Sequence, residues 1–246
     1  MINYKLTIAY DGSRYNGFQK QSKHPEKTIQ GKLEDVLSRC FDEDVQIIGS
    51  GRTDAGVHSK GQVCNFHVSK SISIEELLNY LASYLPNDIA VLNATVASER
   101  FHARYNVVKK CYSYTIDTNL FANPFALKYA YHFNKSLDLE LMEKGASYLC
   151  GTHDYKAFTS LKSKTKSTIK TIHDINIVSK DGFITINYEG NGFLQHMVRI
   201  LTGTLIEIGT GERAPESILT LLENKVRSEA GPTAPSHGLC MEKVTY

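Results

Sequence analysis

An α+β fold in two halves, each an antiparallel sheet with helices on one face, is predicted for this chain by three features of its sequence. Apolar patterns of period 2 and period 3.6 follow one another up to residue 97 as strand, helix, strand, strand, helix, strand, the split βαβ or ferredoxin-like order. A looser version of the same order recurs in the second half. Turn and cap signals separate these stretches, and no low-complexity linker intervenes. The 246 residues are enough for two small domains. The boundary is placed at 107/108, giving halves 1–107 and 108–246.

In order along the chain, "NYKLTIAYDG" alternates Tyr4, Leu6, Ile8 and Tyr10 on one face and stops at Asp11-Gly12, a strand and its turn. "TIQGKLEDVLSRCF" sets Ile29, Leu33, Val36, Leu37 and Cys40 on one helical stripe behind a Thr28 N-cap. A short strand is expected at Val45–Ile48, and "QVCNFHV" alternates Cys64, Phe66 and Val68 as another. Ser73 and Glu76 have capping-box spacing, Leu77, Leu78, Leu81 and Leu85 form the stripe behind them, and Pro86 ends that helix. "DIAVLNATV" is a strand. The second half begins with a strand at Lys110–Asp117 carrying Tyr112, Tyr114 and Ile116 on one face. A helix over Leu137–Leu149 follows, then a hairpin turning at Asp181-Gly182. A long helix over Phe193–Ile208, a shorter one from Pro215 and a last strand, "GLCMEKVTY", complete the half.

Composition is that of an ordinary globular chain, 41% hydrophobic and 22% charged. No apolar run approaches the roughly 20 residues of a membrane span, and Met1 leads into alternation rather than a secretory leader. The cysteines Cys40, Cys64, Cys111, Cys150 and Cys240 are scattered, which argues against a zinc site or disulfide framework and for buried thiols in a reducing cytosol. Net charge is only +2, so nucleic-acid binding needs locally concentrated charge. Lys156, Lys162, Lys164, Lys166 and Lys170 supply one such stretch, read either as a solvated loop or as a basic arm for phosphates. Arg14, Lys20, Lys23 and Lys27, interleaved with Tyr15 and Phe18, supply another; that mixture suits splayed RNA and any protein surface alike.

"IGSGRTDAGVHSKGQV" (48–63) holds Gly49, Gly51, Gly56 and Gly61 around a lone Arg52 and a lone Asp54. It lacks the ending of a P-loop and the spacing of a dinucleotide fingerprint. Alone, Asp54 reads as a turn former between two strands. Flanking glycines also let other backbones approach closely, as a ligand-facing loop requires. Arg52 and Asp54, two apart in extended chain, project to the same side.

The stretch "GRTDAGVHSKGQV" closely resembles the active-site motif of the TruA family of tRNA pseudouridine synthases. "YDGSRYNGFQ" (10–19), "TIQGKLED" (28–35), "LPNDIAV" (85–91) and "FHARYNVVKKCYSY" (101–114) resemble further elements of that family. So do "GTHDYKAF" (151–158), "NGFLQHMVRILTGTLIEIG" (191–209) and "GPTAPSHGL" (231–239), all in the family's order.

The resemblance implies an enzyme that isomerises uridine to its C-glycoside, with no metal and no organic cofactor. It gives Asp54 the role of catalytic carboxylate, whether as nucleophile toward base or sugar or as a base toward a sugar proton. Arg199, in "HMVRI", is implied as its ion-pair partner, which makes sense of an arginine among Phe193, Leu194, Met197 and Val198. Arg52 is implied to enter the RNA helix as the target nucleotide leaves its stack; a phosphate contact is the other reading. Tyr112 is implied to stack on the flipped base, with its hydroxyl available for proton movement. His58, Gln62, His102 and Arg104 are expected to organise the loop or touch RNA. Arg52 and Asp54 fall in the first half and Tyr112 and Arg199 in the second, so an active-site cleft between two RRM/ferredoxin-like halves is expected. The implied substrate is tRNA, at positions 38 to 40 of the anticodon stem-loop, and the implied assembly is a cytoplasmic homodimer. Lysine replaces arginine after "HDYKAF", which bears on RNA choice, so a paralogue acting on another tRNA position or on ribosomal RNA stays open. So do a non-catalytic RNA-binding module and a hydrolase, although no paired-carboxylate motif supports the last.

Overall fold

Tyr4, Leu6, Ile8 and Tyr10 are all buried on one face of β1 (Ile2–Tyr10) in the computed structural model, which describes residues 1–161 and 167–246. Helix α1 (Ile29–Phe41) starts where expected, with the Thr28 hydroxyl accepting from the Gly31 N–H at 3.1 Å. Ile29, Leu33, Val36 and Leu37 are buried; Phe41, rather than the half-buried Cys40, completes the stripe. The strand expected at Val45–Ile48 is reduced to β2 (Ile48–Gly49), although Val45 and Ile47 are buried in the same core. Strand β3 (His58–Val68) is longer than its alternation indicates, because Ser59 already pairs with Tyr10. Both arms of the Ser73–Glu76 capping box form at the start of α2 (Ile74–Tyr84), and β4 (Ile89–Ala97) follows.

These elements make one compact unit, Met1–Val108 with Cys240–Tyr246. Its central strand β1 runs antiparallel to both β4 and β3, and β2 is antiparallel to β3, giving the ferredoxin-like order β4-β1-β3-β2. Tyr4, Phe41 and Phe66 pack ring against ring, at 5.4 Å for Tyr4–Phe66 and 5.8 Å for both contacts of Phe41. The opposite face of β1 and β3 is covered by residues 98–106. Asn3 donates to the carbonyls of Ser98 and Phe101, and Asn65 accepts from the Ala103 N–H at 2.8 Å. That cover is why Asn65 is buried although it alternates with the core residues Cys64 and Phe66 of β3.

The second unit, Lys109–Leu239, repeats the order more loosely. Strand β5 (Lys109–Asp117) buries Tyr112, Tyr114 and Ile116; the short β6 (Tyr131–His132) lies parallel to it. Helix α3 (Leu139–Leu149) is capped by Asp138 and leads into β7 (Gly151–Asp154). Strands β8 (Ile169–Lys180) and β9 (Phe183–Gly190) form the hairpin, with Asp181 and Gly182 both at positive φ, 52° and 77°. The strand order here is β5-β9-β8-β7, all antiparallel. Helix α4 (Met197–Gly209) begins four residues later than expected. His196 takes the left-handed conformation at φ 61°, which no helix interior allows, and its ring Nδ1 lies 2.9 Å from Ser160 Oγ. The shorter helix is α5 (Ser217–Asn224).

The closing strand β10 (Leu239–Thr245) pairs parallel with β3, Cys240 opposite His58 and Met241 opposite Ser59. The last seven residues, read from sequence as the end of the second half, therefore group with the first unit, and its sheet is not wholly antiparallel. The five cysteines are free thiols, but only Cys64 is fully buried, and burial pushes that thiol up to about 12. Lys156 is exposed in a short 3-10 turn and Lys170 lies on β8, whereas Lys162, Lys164 and Lys166 of the basic stretch lie outside the described residues. Among the described residues no helix is long and apolar enough to cross a membrane.

Candidate active site

The Asp54 loop connects β2 to β3 and is fixed from both sides. From β3, the fully buried Gln62 accepts from the Ser50 hydroxyl and donates to the Gly51 carbonyl at 3.0 Å. From β1, Tyr10 places its hydroxyl 2.8 Å from Thr53 Oγ1, and burial holds that phenol well above its ordinary range, hence protonated. Thr53 is thus buried, while Arg52 is exposed and Asp54 half-buried. The alternation expected for this loop is present: the threonine turns inward and its charged neighbours do not. The Val57 N–H donates to the Asp54 carbonyl at 3.2 Å, closing a turn immediately after the acid.

A third layer comes from residues 11–18. The Phe18 N–H donates to the Thr53 carbonyl at 3.1 Å, and the Gly56 N–H donates to the Tyr15 carbonyl at 3.3 Å. Contact here is closer than any side chain allows. A Cβ on Gly12 would stand 1.9 Å from the Val57 carbonyl oxygen, and one on Gly17, whose φ is +96°, 2.6 Å from that of Thr53. The segment is in turn tied to the start of α1, where the Ile29 and Gln30 N–H groups donate to the Gly17 and Phe18 carbonyls. His58 accepts from the Gly12 N–H at 3.2 Å. His58 and Gln62 therefore organise the loop. The bracing role of Gly12, Gly17 and Phe18 was not legible in the sequence, since nothing local says which backbone a glycine will meet.

Beside the loop is an open hollow of about 270 Å³. Phe18, Gln19, Arg52, His102, Arg104 and Tyr105 line much of it; Asp54 does not. Of these, Tyr105 lies in the stretch 101–114 that carries part of the resemblance, but nothing in the sequence singles it out within that stretch.

In the second unit, Tyr112 is buried on β5 opposite Tyr188 of β9, with its ring edge-on to Phe193 at 5.3 Å and 83°. The Tyr188 hydroxyl lies 2.8 Å from Thr202 Oγ1, fastening α4 to that part of the sheet. Arg199 occupies the first turn of α4 and is half-buried among Met197, Val198 and Ile200. Its Nε donates to the Ala234 carbonyl at 2.7 Å, and the Ala234 N–H donates back to the Arg199 carbonyl at 3.0 Å. Burial raises the Tyr114 phenol far above its ordinary range, with the positive charge of Arg199 opposing that rise. Arg52 and Asp54 are thus brought together in one loop of the first unit, and Tyr112 and Arg199 belong to the second. No group of three or more potential metal ligands occurs among the described residues.

A family model described as "tRNA pseudouridine synthase" matches residues 6–106 and 146–246. This chain belongs to that family. The matched blocks contain Arg52, Asp54 and Arg199, whereas Tyr112 falls in the stretch between them. Full-length relatives span that stretch too. The chain is 48% identical to "tRNA pseudouridine synthase A" of Bacillus sp. (strain KSM-64) and 48% identical to "tRNA pseudouridine synthase A 1" of Clostridium tetani (strain Massachusetts / E88). It is 43% identical to "tRNA pseudouridine synthase A 2" of Bacillus anthracis. Each alignment covers 246 residues, 100% of both chains. The family is one of isomerases, and the chain is an enzyme of that kind.

Proposed function

We propose that this enzyme converts uridine to pseudouridine in tRNA, at positions 38 to 40 of the anticodon stem-loop, with Asp54 as its catalytic carboxylate. The observation that carries the reading is the Asp54 loop: three layers of backbone and buried side chain hold a half-exposed acid beside an exposed arginine. A turn former needs no such bracing. In the reaction the N1–C1′ bond breaks, the base turns, and a C5–C1′ bond forms while C5 loses a proton and N1 gains one. Atoms and electrons balance without any redox partner or group carrier. Asp54 acts on the base or the sugar as nucleophile, or as base toward a sugar proton. Arg199 is the ion-pair partner of that carboxylate on this reading. Tyr112 offers an aromatic face to the extruded base, and Arg52 holds the gap left in the helix.

The position is testable by carbodiimide mapping of tRNA from a strain lacking this enzyme. Loss of modification confined to positions 38–40 is expected. Loss elsewhere in tRNA, or in ribosomal RNA, would assign the enzyme to the paralogue reading instead.

We infer that it acts in the cytoplasm as a homodimer, and the second unit presents a surface suited to self-association. Leu120, Phe121 and Phe125 are 75%, 82% and 93% exposed within six residues, with Leu127 also exposed. Scattered exposed apolar residues are ordinary, but a contiguous group marks an interaction site. The segment is anchored, because buried Asp117 accepts from the Asn119 and Asn123 N–H groups at 3.1 and 2.8 Å. Burial disfavours the Asp117 carboxylate, yet these hydrogen bonds prevail and hold it below its usual range. Phe121→Asp with Phe125→Asp is expected to give a monomer by light scattering at concentrations where the unaltered enzyme is dimeric. An unaltered enzyme that is monomeric throughout would refute the assembly.

A further inference from the structure

The hollow beside Arg52 is not lined by Asp54, and its lining has a definite chemistry. Tyr105 is 79% exposed, and its ring stacks on His102 with centroids 4.1 Å apart and planes 25° from parallel. One face of the tyrosine is therefore backed by imidazole, and the other is open. The stack is built in place. His102 Nδ1 accepts from the Arg104 and Tyr105 N–H groups at 3.2 and 3.3 Å, and Asn106 Oδ1 accepts from the His102 N–H at 2.7 Å. Ala103, between them, is fully buried. Its N–H donates to Asn65, and its carbonyl accepts from the Tyr246 hydroxyl at 2.8 Å. A rigid platform loses little freedom on binding.

An aromatic face in a hollow that two arginines and Gln19 also line fits a nucleotide better than any acidic peptide. The ring takes a base, arginine takes phosphate, and the amide reads a base edge. The volume, about 270 Å³, is at or below the small end of ligand pockets and suits one such unit. Resting on the function proposed above, we propose that this hollow receives a second unstacked nucleotide of the bound tRNA. Its base lies on Tyr105 and its phosphate against Arg104, while Arg52 at the rim keeps the gap in the helix. Extruding the target uridine leaves a neighbour or former pairing partner without its stack, and this platform supplies a replacement. The nucleotide held here is not the one that reacts, since Asp54 does not line the hollow. Tyr105 is on this account a positioning residue.

Three variants test the idea: Tyr105→Ala, Tyr105→Phe and Arg104→Gln, each assayed with unmodified tRNA transcript. Tyr105→Ala should weaken tRNA binding roughly fivefold to a hundredfold, the range for one lost base stack. Its single-turnover rate at saturating enzyme should stay within about threefold of the unaltered enzyme, and Tyr105→Phe should bind normally, because the ring and not the hydroxyl is used. Arg104→Gln should make the salt dependence of binding shallower by about one counterion. In transcripts carrying 2-aminopurine at single positions near the target, one position should lose fluorescence on binding the unaltered enzyme and Tyr105→Phe, but not Tyr105→Ala. Unchanged affinity of Tyr105→Ala, or loss of its saturated rate, overturns the platform. An unaltered enzyme that isomerises no uridine in tRNA would instead overturn the function on which the platform rests.

Discussion

Asp54→Asn should lower pseudouridine formation by roughly 10⁴-fold or more while leaving tRNA affinity intact or slightly tighter. The substitution keeps shape and turn chemistry, because asparagine and aspartate serve equally well in turns of this kind. It removes only the negative charge and with it the nucleophile or base. The loop itself should survive, since its hydrogen bonds run through Gln62, Tyr10, Phe18 and the Asp54 carbonyl, all of which the variant retains. Affinity does not fall, because a carboxylate facing polyanionic RNA repels it. Nucleoside analysis of digested tRNA measures the product and filter binding measures the affinity. A variant that still forms pseudouridine at a substantial rate would return Asp54 to the role of turn former.

Gly17→Ala is expected to destabilise the first unit by about 2–4 kcal/mol and to cut activity at least tenfold even where the protein remains folded. Two effects add. The backbone there has φ +96°, which a side chain rarely adopts, and the new Cβ would meet the Thr53 carbonyl oxygen at 2.6 Å. Neither atom belongs to a flexible side chain, so either the 11–18 segment or the Asp54 loop must move. Displacement of a catalytic group by about 1 Å costs on the order of a hundredfold in rate. Gly211→Ala separates the two effects, because Gly211 has φ +77° with nothing within 4 Å of the new Cβ. That variant should lose only about 1 kcal/mol and keep its activity. In a chain of this size the difference corresponds to a Tm lower by roughly 3–10 °C for Gly17→Ala than for Gly211→Ala. Equal melting temperatures and full activity in both would mean that residues 11–18 do not brace the acid.

The parts of the fold that could be read from the sequence are those fixed by near neighbours. Thr28 caps a helix three residues on, Ser73 and Glu76 satisfy each other, and Asp181-Gly182 reverses the chain within its own span. Long-range partners decided the rest. "NGFLQHM" continues a helical apolar period, but the carbonyl of Gln195 accepts from the Ser160 N–H and the Thr159 hydroxyl, and His196 turns left-handed before the helix can start. Alternation in the last seven residues identifies a strand without naming its neighbour, and that neighbour is β3, fifty residues before the proposed boundary. Polar Ser59 and Gly61 look like loop, yet they are strand. Ser59 pairs with Tyr10 across the sheet, and on the β10 side a Cβ on Gly61 would stand 2.5 Å from the Glu242 carbonyl oxygen.

The site divides along the same line. Arg52 and Asp54 stood out because a charged pair among four glycines is unusual in one short loop. Tyr112 and Arg199 drew notice through family resemblance, and without it they read as one ring of an alternating strand and one arginine of a helix. The His102–Tyr105 stack was missed because it exists only once Ala103 is anchored to Asn65 and Tyr246, residues 38 and 143 positions away in the chain.

The central claim, that the enzyme moves a glycosidic bond from N1 to C5 of uridine, is tested most directly by the fate of the hydrogen on C5. Transcript carrying tritium at that carbon is incubated with the enzyme, then analysed for label in water, for free uracil and for chain integrity. The account predicts label released to water from intact tRNA, with no free base. Free uracil, or complete retention of label by tRNA that the enzyme binds, would contradict it.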